Sequence, residues 1–301
     1  MRVFVTGGTG FIGTRLVHSL AERGDQCVVL SRSAADRWKN ARVEVLKGDP
    51  TQPGEWQSRV ADADVVVNLA GKRLVEPPHR WTDARKRQLV QSRVESTRQV
   101  VAAIRAASTT PAVLLSASAI GFYGDRASAM LDESAPPGDD FLAKLSLEWE
   151  EAAREVESVT RVALLRTGLV LDAKEGALAP LVPLFKLGLG GPWGSGEQWW
   201  SWIHIADEVG LIIFAIDHEL AGPINLTAPN PVTVNRFAKS LGTALRRPAL
   251  LRAPAFAMRL ALGEMADALL GSQRVIPERA LDAGYAFRFP DLAGSLADLF
   301  P

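Results

Sequence analysis

The sequence predicts an α/β fold in which a doubly wound parallel sheet is followed by a smaller, irregular domain. Three observations support this prediction. Short apolar runs recur along the first 172 residues, amphipathic or polar stretches separate them, and glycine and proline become dense after Asp172. Strands without inside/outside alternation that are separated by helical segments are typical of a parallel sheet covered on both faces and joined by right-handed crossovers.

The elements of the predicted sheet follow one another in a regular order. Met1–Thr6 is an apolar run, and after a glycine-rich turn apolar residues recur at helical spacing until Gly24, which predicts strand, turn and helix. Further buried strands are predicted at Val28–Leu30, Val43–Leu46, Val65–Val67, Val113–Leu115 and Val162–Leu165. The longest intervening stretch runs from about Trp81 to Ala107. Residues 1–172 are therefore expected to form the nucleotide-binding domain.

Residues 173–301 are expected to form the smaller domain, apart from a strand near residues 222–228 that returns to the sheet. Helices are expected from Pro231 to about Leu245 and from Pro254 to Leu270. The sequence shows no internal repeat and no low-complexity linker. The boundary is therefore predicted to be a packed interface and not a flexible tether.

Composition excludes several classes of protein. The 34 basic and 34 acidic residues give a formal net charge of zero, so we expect no nucleic-acid partner. The single cysteine, Cys27, rules out an intramolecular disulfide and a thiolate metal cluster. Apolar runs are too short to span a bilayer, and a glycine-rich turn follows the first strand where a signal peptide would need its apolar core. A cytoplasmic protein with no membrane partner is expected.

The strongest motif is the glycine-rich turn after the first strand. It places Gly7, Gly10 and Gly13 between that strand and the first helix. Gly7 allows a tight turn, Gly10 lets the backbone approach a pyrophosphate, and Gly13 lets the helix pack closely on the sheet. The predicted dinucleotide contacts in this motif are Thr6, Gly7, Thr9, Gly10, Phe11, Ile12 and Gly13. The alternative is a glycine-rich turn without a ligand.

The end of the second strand predicts which dinucleotide is bound. Proteins that bind NAD carry an acid there, which accepts a hydrogen bond from the ribose 2′-hydroxyl, whereas this strand ends in Ser31 and Arg32. A guanidinium is a planar, permanently charged partner for a 2′-phosphate. The sequence therefore favours NADP over NAD, and the alternative is that Arg32 is a solvated loop residue.

Two more strand ends are expected at the same crevice. Asn68, Leu69, Ala70 and Gly71 follow the fourth strand, and Ser116–Ala119 follows the fifth. In open α/β sheets, ligands lie across the carboxyl ends of the strands, beside the first strand. Small residues there leave room for a cofactor.

The chain resembles the extended, atypical short-chain dehydrogenase/reductases that are called nucleoside-diphosphate-sugar epimerase-like, and within them the branch labelled "epimerase family protein". The resemblance covers essentially the whole chain and rests on Thr6–Gly13, Asn68–Gly71, Ser118 to Gly124, Arg166–Gly168, Gly194–Gly196, Ser201–His204 and Gly222–Pro231. It implies a Rossmann-type NADP-binding domain with a small-molecule substrate. It further implies that Asp49, Arg166 and Gly168 lie at the cofactor.

The sequence departs from this group at the catalytic residues. Members with known activity use a serine, a tyrosine and a lysine four residues after the tyrosine. Here Lys144 matches the lysine, but Asp140 stands at the tyrosine position, and an ionised aspartate accepts a proton but cannot donate one. The candidate catalytic residues are Ser118 as polarising hydroxyl, Tyr123 as substitute acid/base and Lys144 as ribose contact. Tyr123 is alternatively an aromatic that packs over the cofactor.

Tryptophans and glycines coincide in the segment around residues 190–202. Trp193, Trp199, Trp200 and Trp202 lie close to four glycines, which predicts a loop whose rings close over a ligand. The candidate substrate contacts are Trp193, Gln198 and Trp202. Alternatively, these rings pin the second domain to the first. His204, within the same region, is expected to be structural.

Two functions from different classes remain. The first is an NADP-dependent reductase or epimerase that acts on a small polar or nucleotide-linked substrate. The second is a catalytically inactive NADP(H)-binding sensor or scaffold, which the missing tyrosine–lysine pair permits. A metal-dependent hydrolase is not expected, since the four histidines show no metal-ligand spacing.

Overall fold

The structure is a computed structural model that describes residues 1–33, 38–74 and 80–301. The strands in this part of the chain are β1 Arg2–Thr6, β2 Gln26–Ser31, β3 Val43–Lys47, β4 Val65–Asn68, β5 Val113–Ala119, β6 Met130–Leu131, β7 Arg161–Thr167, β8 Leu169–Leu171, β9 Trp199–Trp200, β10 Trp202–His204, β11 Gly222–Leu226, β12 Val232–Thr233 and β13 Arg274–Val275. Seven of them form one parallel sheet in the order β11-β7-β5-β4-β1-β2-β3. The predicted doubly wound parallel sheet is confirmed.

Helices lie on both faces of this sheet and around a further core in the C-terminal part of the chain. They are α1 Phe11–Arg23, α2 Asp83–Val90, α3 Ser96–Ala106, α4 Phe141–Arg154, α5 Leu181–Lys186, α6 Ile205–Asp217, α7 Val234–Ala244, α8 Ala255–Leu262, α9 Asp267–Leu270, α10 Glu278–Asp282 and α11 Leu292–Leu299, with 3₁₀ turns at Glu55–Asp62, Ile120–Tyr123 and Gly263–Ala266 and a π-helical turn at Gln91–Glu95. No helix in these described ranges is long and apolar enough to cross a membrane.

Two apolar cores lie on opposite faces of the sheet. Because successive strand residues point to opposite faces, Val3 and Val5 pack with α1 and α6, whereas Phe4 packs with Trp56 and with residues of α3 and α4. All four residues of β4 are buried. This burial explains why the strands read as continuous apolar runs in the sequence.

The chain beyond residue 172 contributes to both parts of the molecule. α6 packs beside α1 on the sheet, and β11 pairs with β7, so both belong to the sheet layer. The remaining segments surround a third core that contains Trp193, Trp202 and Phe237. The division at residue 172 stays a prediction.

One predicted helix is interrupted. The expected helix over Pro254–Leu270 forms as α8, a 3₁₀ turn and α9. α8 ends at Gly263, whose φ of 61° is left-handed and terminates a helix at little conformational cost.

Candidate functional site

The glycine turn between β1 and α1 is built from backbone and leaves little room for side chains. The N–H of Gly10 donates to Gly7 O at 2.9 Å, and Gly7 has a φ of 68°. A Cβ on Gly7 would lie 2.5 Å from the carbonyl of Leu69, and a Cβ on Gly13 would overlap the carbonyl oxygen of Gly7. A Cβ on Gly10 would meet only that carbonyl oxygen, at 3.1 Å. Gly7 and Gly13 are therefore required by packing, whereas a side chain on Gly10 would be crowded by a single backbone atom.

A cavity of about 660 Å³ opens beside this turn. Its lining comes from the carboxyl ends of β1, β2, β3 and β4 and from the junction of α2 with the π-helical turn. It comprises Gly7, Thr9, Gly10, Leu30, Ser31, Arg32, Ser33, Asp49, Pro50, Thr51, Leu69, Ala70, Gly71, Lys72, Gln88, Gln91 and Ser92. The strand order runs outward in opposite directions from β1 and from its neighbour β4. The cavity thus lies at the switch point of the sheet.

Nine of the residues predicted to contact the cofactor line this cavity. They are Gly7, Thr9, Gly10, Ser31, Arg32, Asp49, Leu69, Ala70 and Gly71. Their contacts with a cofactor stay predictions. Gln88 and Gln91 also line the cavity and were not predicted, because α2 and the turn after it are brought to the sheet edge only by tertiary packing. Lys72 lines it as well and directly follows the predicted segment Asn68–Gly71.

Arg32 is exposed at the cavity wall. It lies between Ser31 and Ser33, whose hydroxyl oxygens are 3.5 Å apart. Among the described residues, no carboxylate forms an ion pair with Arg32. Asp49, the acid of this wall, accepts from the backbone N–H of Thr51 at 2.9 Å and from the Thr51 hydroxyl at 2.8 Å. The wall therefore offers an exposed guanidinium and two hydroxyls to an anion.

Thr6 and Asn68 lie beneath the cavity and do not line it. Both are fully buried. The Thr6 hydroxyl donates to Asn68 Oδ1 at 2.6 Å, and Asn68 Nδ2 donates to the Thr97 hydroxyl at 2.8 Å. The hydrogen bonds described for both side chains are made inside the protein, so these side chains support the cavity floor, and their contact with a cofactor stays a prediction.

The other predicted contacts from the first turn of α1 and from β7 are also absent from the cavity wall. Phe11 packs against Gly176, and Ile12 packs against the first core. A Cβ on Gly168 would lie 2.8 Å from Ser201 O, so this glycine serves close packing. Arg166 is buried in an ion pair with Glu150, with Nε to Oε1 at 2.7 Å and Nη2 to Oε2 at 2.9 Å.

The hydroxyls of Ser118 and Tyr123 belong to the same buried network as this ion pair. Ser118 Oγ donates to Glu150 Oε1 at 2.7 Å. Tyr123 Oη donates to Asn225 Oδ1 at 2.7 Å and accepts from Arg166 Nη1 at 3.0 Å. Burial of Tyr123, which has no exposed surface, raises the pKa of its phenol to about 12.

These placements argue against the predicted catalytic roles. Both hydroxyls are engaged by protein partners, and neither residue lines the cofactor cavity. Lys144 lies on the exposed side of α4 and does not line that cavity either. Ser118 and Tyr123 thus belong to a buried hydrogen-bond network. The catalytic assignments stay predictions without structural support.

A second cavity, of about 340 Å³, lies where the turn after β5 faces the start of α4. Asp140 caps α4 by accepting from the backbone N–H of Ala143 at 2.8 Å. Four carboxylates and one guanidinium line the cavity. Its lining comprises Trp81, Gly124, Asp125, Asp140, Phe141, Leu142, Arg259, Glu264, Asp267, Ala268, Leu270, Gly271 and Gln273. Asp140, which stands at the expected tyrosine position, therefore faces a cavity, whereas Tyr123 does not.

The predicted substrate contacts form the core of the C-terminal part. Trp193 packs edge-on against Trp200 at 4.5 Å, and its Nε1 donates to Leu269 O at 3.0 Å. Trp202 is fully buried, and its Nε1 donates to Asn230 O. Gln198 Nε2 donates to Trp193 O at 3.0 Å. These side chains lie in or beside the third core, and their contact with a substrate stays a prediction.

Metal ligands are absent from the described part of the chain. No group of three or more His, Cys, Asp or Glu side chains in residues 1–33, 38–74 and 80–301 could hold a metal ion. Cys27 is buried on β2, and burial raises the pKa of its thiol to about 11. The cysteine therefore resembles a small apolar residue of the core.

The pattern of the NAD dependent epimerase/dehydratase family matches residues 3–227. The chain belongs to this family. A domain of unknown function (DUF1731) matches residues 253–299. The family thus spans the sheet and the segments that line the cofactor cavity, and the resemblance inferred from the sequence is confirmed.

Relatives within the family match along nearly the whole chain. The Arabidopsis thaliana protein named epimerase family protein SDR39U1 homolog, chloroplastic, is 41% identical, with 96% of this chain and 84% of the relative covered. The Homo sapiens epimerase family protein SDR39U1 is 36% identical, with 99% of both chains covered.

Solved structures show the same architecture. The crystal structure of human epimerase family protein SDR39U1 (isoform 2) with NADPH has a TM-score of 0.89 at 35% identity and covers 99% of both chains. UDP-glucuronic acid 4-epimerase from Bacillus cereus, in complex with UDP-glucuronic acid and NAD, has a TM-score of 0.80 at 17% identity, with 100% of this chain and 99% of that chain covered. The latter likeness shows the fold alone.

Proposed function

We propose that this protein binds NADP(H) in the 660 Å³ cavity and is an oxidoreductase or epimerase that acts on a small polar or nucleotide-linked substrate. The observation that carries the proposal is the combination, in one cavity, of an open backbone turn at Gly10 with the exposed guanidinium of Arg32. The turn suits a pyrophosphate, and the guanidinium suits a 2′-phosphate. The NADPH in the human family member's structure supports this cofactor.

The residues that would hold the cofactor divide between its two charged groups. Backbone N–H groups at the start of α1, with the positive end of the helix dipole, would hold the pyrophosphate. Arg32, with the hydroxyls of Ser31 and Ser33, would hold the 2′-phosphate. When bound, the cofactor supplies hydride transfer at its nicotinamide.

The 340 Å³ cavity is the proposed substrate site. It opens at the carboxyl end of β5, on the same edge of the sheet as the cofactor cavity. Two of its four carboxylates are ion-paired, Glu264 with Lys86 and Asp267 with Arg259. Asp125 and Asp140 leave the cavity with a net negative charge, so it favours a small neutral hydroxyl or carbonyl compound over a diphosphate. Asp140 is the proposed proton acceptor, because it lines this cavity whereas the Tyr123 hydroxyl is bonded inside the protein.

A binding titration tests the cofactor proposal. NADPH should bind more tightly than NADH, by about tenfold to a hundredfold for an Arg–phosphate interaction of ~1.5–3 kcal/mol. Arg32→Ala should remove most of this difference, whereas Arg42→Ala, which changes an exposed arginine outside the cavity, should preserve it. Equal affinities for the two nucleotides in the unmodified protein would contradict the preference for NADP.

A substrate screen tests the reaction. Oxidation of NADPH, or reduction of NADP⁺, should be followed over nucleotide sugars and small carbonyl or hydroxyl compounds. We expect substrate-dependent turnover with the small neutral compounds, and Asp140→Ala should lower its rate without changing NADPH affinity. Turnover that survives Asp140→Ala unchanged would exclude this carboxylate as proton acceptor.

A non-catalytic NADP(H)-binding protein is the second candidate function. The burial of Ser118 and Tyr123 in a network with Glu150, Arg166 and Asn225 favours it, because the hydroxyl chemistry of the family is closed off there. It predicts tight NADPH binding with no turnover in the whole screen. Turnover with any substrate decides for the enzyme.

A further inference from the structure

Arg93 is a buried cation behind the wall of the cofactor cavity. It lies in the π-helical turn Gln91–Glu95, and its residue is 8% exposed. Nη2 donates to Lys72 O at 2.8 Å, and Nη1 donates to Leu89 O at 3.3 Å. Both acceptors are neutral backbone carbonyls. The guanidinium is therefore hydrogen-bonded but not neutralised.

The charge of Arg93 has no counter-ion among the described residues. No carboxylate in residues 1–33, 38–74 or 80–301 forms an ion pair with it. Burial lowers the pKa of the guanidinium to about 10, and the nearby positive charge of Arg85 acts in the same direction. Buried charges in proteins are normally paired, because an uncompensated charge is costly to desolvate. An anion that approaches this wall would therefore interact favourably with Arg93.

The Arg93 guanidinium stacks on an aromatic ring that is itself hydrogen-bonded. It lies over the ring of Trp149, 5.3 Å from the ring centre. Trp149 Nε1 donates to the Thr97 hydroxyl at 2.9 Å, and that hydroxyl also accepts from Asn68 Nδ2. Asn68 ends β4, the strand whose following loop lines the cavity. A hydrogen-bonded chain thus supports the aromatic surface on which Arg93 rests.

Arg93 and its neighbour Ser92 both form hydrogen bonds with the backbone of Lys72 in the cavity wall. The backbone N–H of Lys72 donates to Ser92 Oγ at 3.1 Å, and its carbonyl accepts from Arg93 Nη2. A Cβ on Gly71 would lie 3.3 Å from Arg93 Cζ, so the guanidinium lies directly against the backbone of that wall. A π-helical turn is a local widening of a helix that occurs frequently at functional sites. Here the turn places Ser92 and Arg93 where together they hold Gly71–Lys72.

We infer that Arg93 is a positioning residue for the cofactor: it holds the Gly71–Lys72 wall of the cavity, and its uncompensated charge favours the phosphates of a dinucleotide. The inference rests on the proposed NADP(H) binding. Arg93 differs from Arg32 in the group that it favours. Arg93 lies behind the wall and attracts the phosphates that NADPH and NADH share. Arg32 is placed to recognise only the 2′-phosphate.

Binding titrations of three variants test this inference. Arg93→Met keeps an unbranched side chain but removes the charge, Arg93→Lys keeps the charge, and Arg32→Ala is the matched control. Arg93→Met should weaken NADPH and NADH by about tenfold each, leaving their ratio unchanged, and Arg93→Lys should recover part of the loss. Arg32→Ala should instead change the ratio.

The outcomes separate the inference from the proposed function. Folded Arg93→Met with unchanged affinities for both nucleotides overturns the inference, and so does an equal loss in Arg93→Met and Arg93→Lys, which assigns Arg93 to packing alone. Absence of nucleotide binding in the unmodified protein overturns the proposed function instead. If Arg93→Met does not fold, Arg93→Lys and Ser92→Ala test the inference instead. Ser92→Ala should lower the affinity for both nucleotides several-fold, and Arg93→Lys should lower it less. Unchanged affinity in Ser92→Ala overturns the inference.

Discussion

The carboxyl ends of the sheet strands differ in how exposed their polar side chains are. At the end formed by β1, β2 and β4, backbone and exposed side chains such as Arg32 face an open cavity. At the end formed by β5 and β7, the side chains of Ser118 and Arg166 point into the layer below α4 and form hydrogen bonds with Glu150. The first end exposes its polar groups to a cavity, whereas at the second end Ser118 and Arg166 are bonded inside the protein, beside the 340 Å³ cavity that other residues line. A hydroxyl at a strand end is therefore not a catalytic group by position alone.

The largest effect is expected from breaking the ion pair at this second end. Arg166→Met would leave the Glu150 carboxylate buried without its ion partner, which should lower the free energy of unfolding by about 3–5 kcal/mol. Urea denaturation measures this change. The double variant Arg166→Met, Glu150→Leu should recover much of the stability, because no buried charge remains. A loss below about 1 kcal/mol in the single variant would show that the ion pair does not stabilise this end.

The first end should respond in binding and not in stability. Gly10→Val would place a branched side chain in the cavity, so NADPH affinity should fall more than a hundredfold, or about 2.7 kcal/mol, with little change in melting temperature. Gly294→Val in α11, where the nearest atom to a Cβ would lie at 3.6 Å, is the matched control and should leave affinity unchanged. Unaltered NADPH binding in folded Gly10→Val would mean that the turn serves only the fold.

Another buried carboxyl, that of Glu208, differs from Glu150 because it has no ion partner among the described residues. Glu208 on α6 accepts from the Thr167 hydroxyl at 2.9 Å, while its Oε2 has no partner in the described residues. Burial raises the pKa of Glu208 to about 8. The folded state thus keeps a proton that the unfolded chain releases near pH 4.5, and the free energy of unfolding should fall as pH rises between these values.

Denaturation at pH 5 to pH 8 measures this dependence against Glu208→Gln. The substitution should flatten the slope by up to about 1.4 kcal/mol per pH unit, the value for one proton. Identical slopes in the two proteins would show that Glu208 is ionised in the folded state.

The smallest effect is expected from Tyr123→Phe. Loss of the hydroxyl removes the acceptor of Arg166 Nη1 and the donor to Asn225 Oδ1, so the free energy of unfolding should fall by about 1–2 kcal/mol. NADPH affinity should not change. Once a substrate is found, retained turnover in this variant would confirm that the phenol is a packing group, and loss of turnover with unchanged stability would restore it as the acid/base.

Much of the cofactor site could be predicted from the sequence because it is local. Gly7, Gly10 and Gly13 occur within one strand–turn–helix unit, and Arg32 directly follows the next strand, so their spacing alone indicates which groups meet. Gln88 and Arg93 could not be found in this way. They reach the cavity wall only when α2 and its π-helical turn pack against the loop after β4.

The two-residue periodicity of a strand explains where the catalytic candidate Ser118 lies. Ser118 and Arg166 are opposite each other in the β5–β7 register, and both point to the α4 side. The sequence around Ser118 does not show whether its hydroxyl is free or bonded inside the protein. Its hydrogen-bond partner, Glu150, lies 32 residues later in the chain. The tryptophans of residues 193–202 gave a similar ambiguity, and the packing of Trp193 and Trp200 against Phe237 likewise depends on a distant part of the chain.

The parallel sheet, the family and the backbone turn for a dinucleotide could be predicted from the amino-acid sequence, because each depends on apolar periodicity or on neighbouring residues. The three-dimensional packing was needed to show which polar side chains face a cavity and which are bonded inside the protein. A side chain's chemical role depends on its exposure and its partners. For Tyr123, Arg93 and Glu208, residues from distant parts of the chain set both.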